Sequence, residues 1–501
     1  MPYRVYGRLI FSTSLDARLI MYLCRFPLIL VIFLLAVPGL SAPADAERQN
    51  RLPDSVSRIL SAHKMPADSL SVFVQKVGQD TPLLLVNSDV PRNPASTIKL
   101  LTTYLALEDL GPAFRWKTEA YLGGKLTDGW LDGDLYLKGY GDPYMVVERF
   151  WLFLRQMRQR GLVNIAGDLA IDNSYFDMPE TDPGSFDGQA FRTYNVVPDA
   201  FLVNFQAINF IFRPDPAANR VQVIAEPSPT NLKIRNQIQI GDKSCGGFQR
   251  GIAVHVADTP DQNQVTFSGR FGRSCNEYYM SRSFMQAPTY AYGVFNSLWQ
   301  EMGADLEGGV RLDEVPEDLD PFLTVNSPPL AEIVRSVNKW SNNVMARHIL
   351  LTMGAERFGP PATLEKGREA AIMVLAEGGL AFPELRLDNG AGLSRDTEIS
   401  ARNLGRVLLA ANESLFRAEF VSSLPLSGLD GTLRRRFRNE GLTGRMHLKT
   451  GRLEGVFALA GYVRSMSDNE YAVVAIQNYE NANRGPGEEI QSALLRWVYL
   501  Q

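Results

Sequence analysis

Extended runs at both ends of this chain, separated by several hundred residues, constrain its fold more than any other feature. Residues 71–77 and 81–86 flank the turn Gly78-Gln79-Asp80 and read as a hairpin. Near the other end, 444–450, 456–464 and 471–477 read as three more strands, with Ser467-Asp468-Asn469 supplying turn chemistry between the last two. Strands joined by tight turns pair antiparallel. Residues 95–110 read as a helix stopped by Gly111, and 488–500 as a closing amphipathic helix. The pattern predicts one antiparallel sheet assembled from both ends of the chain and covered by helices. The middle is then an insertion.

That middle carries a weak internal repeat. A helix at 150–160, a stop at Gly161 and a glycine-led strand at 167–171 are echoed by 294–302, Gly303 and 308–312. Two related units within one inserted region are expected. Alternation at 221–224 and 232–240 predicts further β-structure between them, stapled by a Cys245–Cys275 bridge.

Hydrophobic residues make up 45% of the 501-residue chain and charged residues 21%, which excludes a disordered or polytopic membrane protein. A net charge of −4 gives no electrostatic basis for a nucleic-acid partner. At the start, Arg25, the apolar run 27–40 and small residues through Ala44 and Ala46 form the pattern of a secretory signal peptide, with translation expected to begin at Met21. The apolar run is too short for a comfortable span, so no stable membrane anchor is expected. Cys24 would leave with the signal, and the remaining even pair suits an oxidising compartment. No Cys-x-x-Cys or His-x-x-x-His pair suggests zinc.

Four histidines are present, at 63, 255, 348 and 447, without a Gly-x-Ser-x-Gly elbow to suggest a Ser-His-Asp triad. His447 could share a strand face with Lys449, though a surface or satisfied histidine is the safer reading. Lysine-based activation has better candidates. Ser96-Thr97-Ile98-Lys99 opens the helix after Pro94, and positions i and i+3 share one helical face, so hydroxyl and amine can meet. A helix N-terminus also favours a developing alkoxide. The same spelling recurs at 61–64 and 336–339, but Ser61 precedes the first hairpin and Ser336 lies inside a helix. Ser341-Asn342-Asn343 interrupts helical stretches at 330–340 and 344–353 and should form a turn. Lys449-Thr450-Gly451 occurs once, at a strand end. Its glycine admits a close backbone, and its lysine and threonine offer a cation and a hydroxyl to a carboxylate. Each element alone is equally a helix cap or a solvated strand end.

In this order and placement the three elements resemble the signature of penicillin-binding proteins and class A β-lactamases. The gap from Ser96 to Ser341 is far longer than in compact β-lactamases. With the stretches 93–99, 135–143, 337–343, 388–395, 424–433 and 449–453, the chain is similar to the D-alanyl-D-alanine carboxypeptidase/endopeptidase family, the low-molecular-mass class C penicillin-binding proteins. The resemblance implies an α+β fold: a penicillin-binding/β-lactamase-like transpeptidase domain, with an antiparallel sheet flanked by helices and a helical subdomain, carrying a large inserted α/β and β-rich region. The expected division is a signal peptide at 1–46, a catalytic domain in two parts at 47–115 and 319–501, and inserted structure at 116–318.

It further implies a serine peptidase acting on peptidoglycan stem peptides and inhibited by β-lactams, located in the periplasm and needing no metal or cofactor. Ser96 would be the acylated nucleophile and Lys99 its base. Ser341 would relay a proton to the leaving amine, and Asn343 would hold a substrate amide. Lys449 and Thr450 would bind the terminal carboxylate beside Gly451, and the backbone N–H groups of Ser96 and Arg452 would form the oxyanion hole. Asp172 would meet a free amine of the stem. Two departures stand out: Arg452 where the family commonly has serine or threonine, and Asn342 where it commonly has aspartate. A β-lactamase-like hydrolase would share this nucleophile. A catalytically silent wall-binding protein would share the fold, yet would not need Ser96, Lys99 and Lys449 intact.

Overall fold

In the computed structural model of the chain, residues 50–501 are described apart from 243, 244, 248–250, 261 and 439; the expected signal peptide lies outside them. A five-stranded sheet draws on both ends of the sequence. Its order is Met446–Leu453, Val456–Arg464, Glu470–Asn478, Leu70–Lys76 and Leu84–Val86, with every neighbour antiparallel. Leu70–Lys76, from the start of the chain, pairs along its length with Glu470–Asn478 from the end, Leu70 opposite Gln477 and Lys76 opposite Tyr471.

These strands read as apolar runs because both faces of the sheet are covered. Val72, Val74, Leu459 and Val473 meet Val56, Leu60, Ile490 and Leu494 of the helices Asp54–Ala62 and Pro486–Tyr499. The alternate set, Phe73, Ala458, Ala460, Val474 and Ile476, joins a second core with Lys99–Leu110, Leu330–Trp340, Asn343–Phe358 and Ala401–Glu413. Successive strand side chains point to opposite faces, so one strand serves both cores.

The intervening residues build a second sheet around the hairpin Lys117–Thr127 and Trp130–Gly139. Here the internal repeat takes physical form. Helix Val147–Gln159 precedes strands Asn164–Ile165 and Leu169–Asp172; helix Ala287–Glu301 precedes Asp305–Leu306 and Val310–Leu312. Corresponding strands pair in parallel, Asn164 against Asp305 and Leu169 against Val310. Leu323–Asn326 also belongs to this sheet, pairing antiparallel with Lys117–Thr127. Strands Arg220–Glu226 and Lys233–Gly241 lie in two further three-stranded sheets, and Cys245 and Cys275 form a disulfide. Among the described residues no helix is long and apolar enough to cross a membrane.

Asn343–Phe358 is placed by a close crossing with helix Leu364–Glu377. A Cβ at Gly354 would stand 2.6 Å from the Gly367 nitrogen, and one at Gly367 would stand 2.6 Å from the Leu350 carbonyl oxygen. Alanine gains about 0.5–1 kcal/mol over glycine inside a helix, but overpacking against rigid backbone costs about 1–3 kcal/mol. The clash wins. Gly354→Ala is expected to lower the unfolding free energy in a denaturant titration by about 1 kcal/mol or more; an increase would mean that the two helices have room to part.

Candidate active site

Ser96 sits in the 3-10 turn Ala95–Ile98 that leads into helix Lys99–Leu110. Ala95 has a positive φ of 46°, and this turn is clamped from outside. Gly392 approaches so closely that a Cβ there would lie 2.0 Å from the Ala95 carbonyl oxygen. Lys99, one turn on, is fully buried. Its Nζ lies 3.0 Å from Ser96 Oγ and 2.7 Å from Asn343 Oδ1, and it also donates to the Ala391 carbonyl. Burial pushes this amine well below its usual pKa, and the charges of Lys449 and Arg347 push it further the same way. A neutral amine has two N–H donors and one lone pair. With the donors on Asn343 and Ala391, the lone pair is left for the Ser96 hydroxyl.

The second element lies where two helices meet. Ser341 closes helix Leu330–Trp340 in the left-handed region, φ 58° and ψ 38°, and Asn342 caps the next helix by accepting from Met345 N–H at 3.0 Å. That kink turns Ser341 Oγ to Lys449 Nζ at 2.8 Å. Asn343, the first residue of the next helix, also donates through Nδ2 to the Tyr194 carbonyl at 3.2 Å, which leaves one amide N–H uncommitted.

Lys449 projects from strand Met446–Leu453 and is fully buried; besides Ser341 it donates to the Thr450 carbonyl at 2.7 Å. Burial lowers its pKa to about 7. Gly451 is required by space: a Cβ there would sit 2.6 Å from the Pro94 carbonyl oxygen and 3.0 Å from the Ser96 nitrogen. Glycine thus lets the strand pack directly on the turn that carries Ser96. Thr450 Oγ1 donates to Thr432 Oγ1 at 3.0 Å, and Arg452 is exposed.

The structure therefore brings Ser96, Lys99, Asn343, Ser341, Lys449, Thr450 and Gly451 into one connected cluster. Asp172 is not part of it. Its side chain has no exposure and binds Lys138 at 2.7 Å, the hydroxyl and N–H of Ser174 at 2.6 and 3.0 Å, and Val315 N–H at 3.0 Å. Burial alone would raise its pKa, but these donors outweigh it and hold the carboxylate below its ordinary value. A carboxylate so enclosed offers nothing to a substrate amine, and that expectation is withdrawn. His447 is a satisfied histidine, its Nδ1 lying 3.2 Å from the Val421 carbonyl. Among the described residues no cluster of three or more His, Cys, Asp or Glu is placed to hold a metal.

Four contributors escaped the motif reading. The carbonyls of Ala391 and Tyr194 act through backbone atoms, which residue type does not announce. Arg347 is a helical arginine whose charge reaches Lys99 only after folding. Thr432 reaches Thr450 from the other side of a loop. The available signals were the family-like stretches 388–395 and 424–433, which contain Ala391 and Thr432, and the glycines around Ala391, which permit close backbone approach.

Comparison with known proteins bears on the family and the fold. The model of the D-Ala-D-Ala carboxypeptidase 3 (S13) family matches residues 52–499. A D-alanyl-D-alanine carboxypeptidase of Haemophilus influenzae is 25% identical over 425 residues, covering 83% of this chain and 86% of that protein. One from Actinomadura sp. is 26% identical over 459 residues, covering 88% and 83%. The crystal structure of penicillin binding protein 4 from Haemophilus influenzae superposes with a TM-score of 0.75 at 22% identity, covering 90% of this chain and 100% of that one. The same protein complexed with a β-lactam gives a TM-score of 0.71 at 22% identity, with the same coverage. With the family match spanning both ends of the five-stranded sheet and everything between, this chain belongs to the D-Ala-D-Ala carboxypeptidase 3 (S13) family.

Proposed function

We propose that this protein is a serine-type D-alanyl-D-alanine carboxypeptidase, with endopeptidase activity of the same chemistry, that acts on peptidoglycan stem peptides and is acylated by β-lactams. The observation that carries the reading is Lys99 Nζ, buried and 3.0 Å from Ser96 Oγ, with its other donors already committed. Ser96 Oγ bonds to the carbonyl carbon of the penultimate D-alanine while its proton passes to the Lys99 amine. The oxyanion is met by the backbone N–H groups of Ser96 and Arg452, which the glycine at 451 allows to lie side by side; such donors are worth about 2.7–4 kcal/mol each. When the C–N bond breaks, Ser341, held at Lys449, relays to the departing amine the proton that Lys99 took up, which leaves Lys99 neutral again. Water then attacks the acyl carbon and gives one proton to Lys99, which passes it to Ser96 Oγ as the ester C–O bond breaks. A β-lactam amide opens by the same attack, but its amine stays tethered and the acyl-enzyme persists.

The remaining N–H of Asn343 is free for a substrate amide, and Lys449 with Thr450 faces the carboxylate. The names of the relatives and the β-lactam complex of the H. influenzae protein support the substrate and inhibitor classes. A periplasmic location follows from the same reading, as does a catalytic domain split by inserted structure, with the second boundary moved beyond residue 326 by the pairing of Leu323–Asn326.

Ser96→Ala is expected to abolish both D-alanine release from a stem pentapeptide and covalent labelling by a fluorescent penicillin; wild-type levels of either in the variant would refute the nucleophile. Rapid spontaneous loss of the label from the wild type would favour a β-lactamase-like hydrolase instead.

The two buried lysines also set a pH profile. Lys99 must be neutral, a condition met above its depressed pKa, and Lys449 must be charged, a condition lost as pH rises through about 7. The rate constant for penicillin acylation should therefore be bell-shaped in pH. Lys449→Arg, which keeps its charge, should move the alkaline limb upward. An unmoved limb would mean that another group sets it.

A further inference from the structure

Helix Val147–Gln159 has a second face that the chemistry at Ser96 does not use. Its residues Phe150, Phe153, Leu154 and Met157 are buried in the core beneath, at the spacing of one helical face. With 3.6 residues per turn, the opposite face falls on Glu148, Trp151, Leu152, Arg155 and Gln159, and all five are exposed. Trp151 and Leu152 are consecutive on this outer ridge, and 41% and 43% of their surfaces are open. An adjacent pair of large apolar side chains left outside a packed core asks for a partner.

A recess flanks each side of the ridge. One, of about 280 Å³, is lined by Trp151, Arg155, Arg158, Gln159 and Met302. The other, of about 300 Å³, lies between the helix and strand Leu323–Asn326 and includes Arg149, Leu152 and Gln156. Each holds a guanidinium with a donor to spare. Arg158 donates to the carbonyls of Leu162 and Met302 at 3.2 and 3.3 Å, and Arg149 to that of Asn326. The Nε of each has no partner among the described residues. Arg155 makes no hydrogen bond or ion pair there either, its guanidinium lying 5.8 Å from the centre of the Trp151 ring. Arg160, just past the helix end, donates to the Phe322 carbonyl. Among the described residues no carboxylate pairs with any of these four arginines, and Glu148 is the helix's one acid.

We propose that this face docks on an anionic phospholipid surface, with Trp151 and Leu152 entering the interface and Arg149, Arg155, Arg158 and Arg160 turned to lipid phosphates. Indole and leucine side chains gain by leaving water at the head-group level, and guanidinium forks match phosphate oxygens. A neutral sugar chain could stack on the indole, but it would leave four cationic side chains uncompensated. The docking is adsorption and not a span, because the helix has 13 residues and its inner face stays on the core. It holds whatever reaction Ser96 performs.

The test is co-sedimentation of the protein, recovered after export, with two kinds of vesicle at low salt. One kind is phosphatidylcholine mixed with phosphatidylglycerol, the other phosphatidylcholine alone. Binding is expected on the mixed vesicles and should be at least about tenfold weaker on the neutral ones, since each arginine at an anionic surface adds about fivefold. Arg155→Glu, a change of two charges, should lower the partition coefficient about 10- to 30-fold. Trp151→Ala should lower it about 5- to 10-fold, and Trp151→Phe should keep most of the binding but lose part of the blue shift of tryptophan emission. Each variant should melt at the wild-type temperature, which separates lost docking from lost fold. Where Arg155→Glu melts lower, Arg155→Gln replaces it, with about a fivefold effect expected. Absence of binding to mixed vesicles, equal binding to both kinds, or variants that bind like the wild type would each overturn the inference. Glycerol phosphate, the head group without its lipid, should displace little protein from the vesicles; full displacement at millimolar concentration would make this a site for soluble phosphate and overturn the lipid reading.

Discussion

The structure turns on the burial of two lysine side chains, Lys99 and Lys449, in one cluster with their amines directed at two serines. A buried ammonium is costly, and a second one nearby adds repulsion to desolvation. Burial favours proton loss from Lys99, which is what its proposed role as a base requires. The neighbouring elements support that outcome. Carbonyl oxygens from Asn343 and Ala391 take the N–H groups of Lys99, and among the described residues no carboxylate reaches its Nζ to hold the proton in place. A single aspartate in that position would restore the ammonium and remove the base.

Close backbone approach makes the cluster possible. Gly451 lets the edge strand lie against the Ser96 turn, and Gly392 lets the segment bearing Ala391 lie against Ala95. At both points the next heavy atom lies where a methyl group would have to go. Ser341 contributes by strain of another kind, a left-handed conformation at a helix end that re-aims its hydroxyl toward Lys449. Such conformations cost about 1–3 kcal/mol and persist where the surroundings hold them. The surroundings here are a helix on each side and the packed core beneath.

The inserted structure reaches this site through backbone. The Tyr194 carbonyl accepts from Asn343 and the Val196 carbonyl from Arg347 at 3.3 Å, so one inserted turn holds two residues of the helix that begins at Asn343. Arg347 is in turn one of the charges that depress Lys99. The turn at 194–196 is thus coupled to the surroundings of Lys99.

By itself the sequence determined a good deal. Local periodicity located the five sheet strands, the turn at 341–343 and the repeat in the insertion, because burial patterns at periods of 2 and 3.6 are written in neighbouring residues. Three short motifs in a fixed order and placement picked out Ser96, Lys99, Ser341, Asn343, Lys449 and Thr450 as candidates. Asp172 came from the family resemblance alone, and a carboxylate at a strand end looks identical in sequence whether it faces a substrate or Lys138. Only the tertiary structure settled that partner, the accepting carbonyls of Ala391 and Tyr194, and the hydroxyl of Thr432 beside Thr450. Those contacts join segments far apart in the chain and often use backbone atoms common to every residue. The identity of a side chain limits what it can do; what stands opposite is known only once the chain has folded.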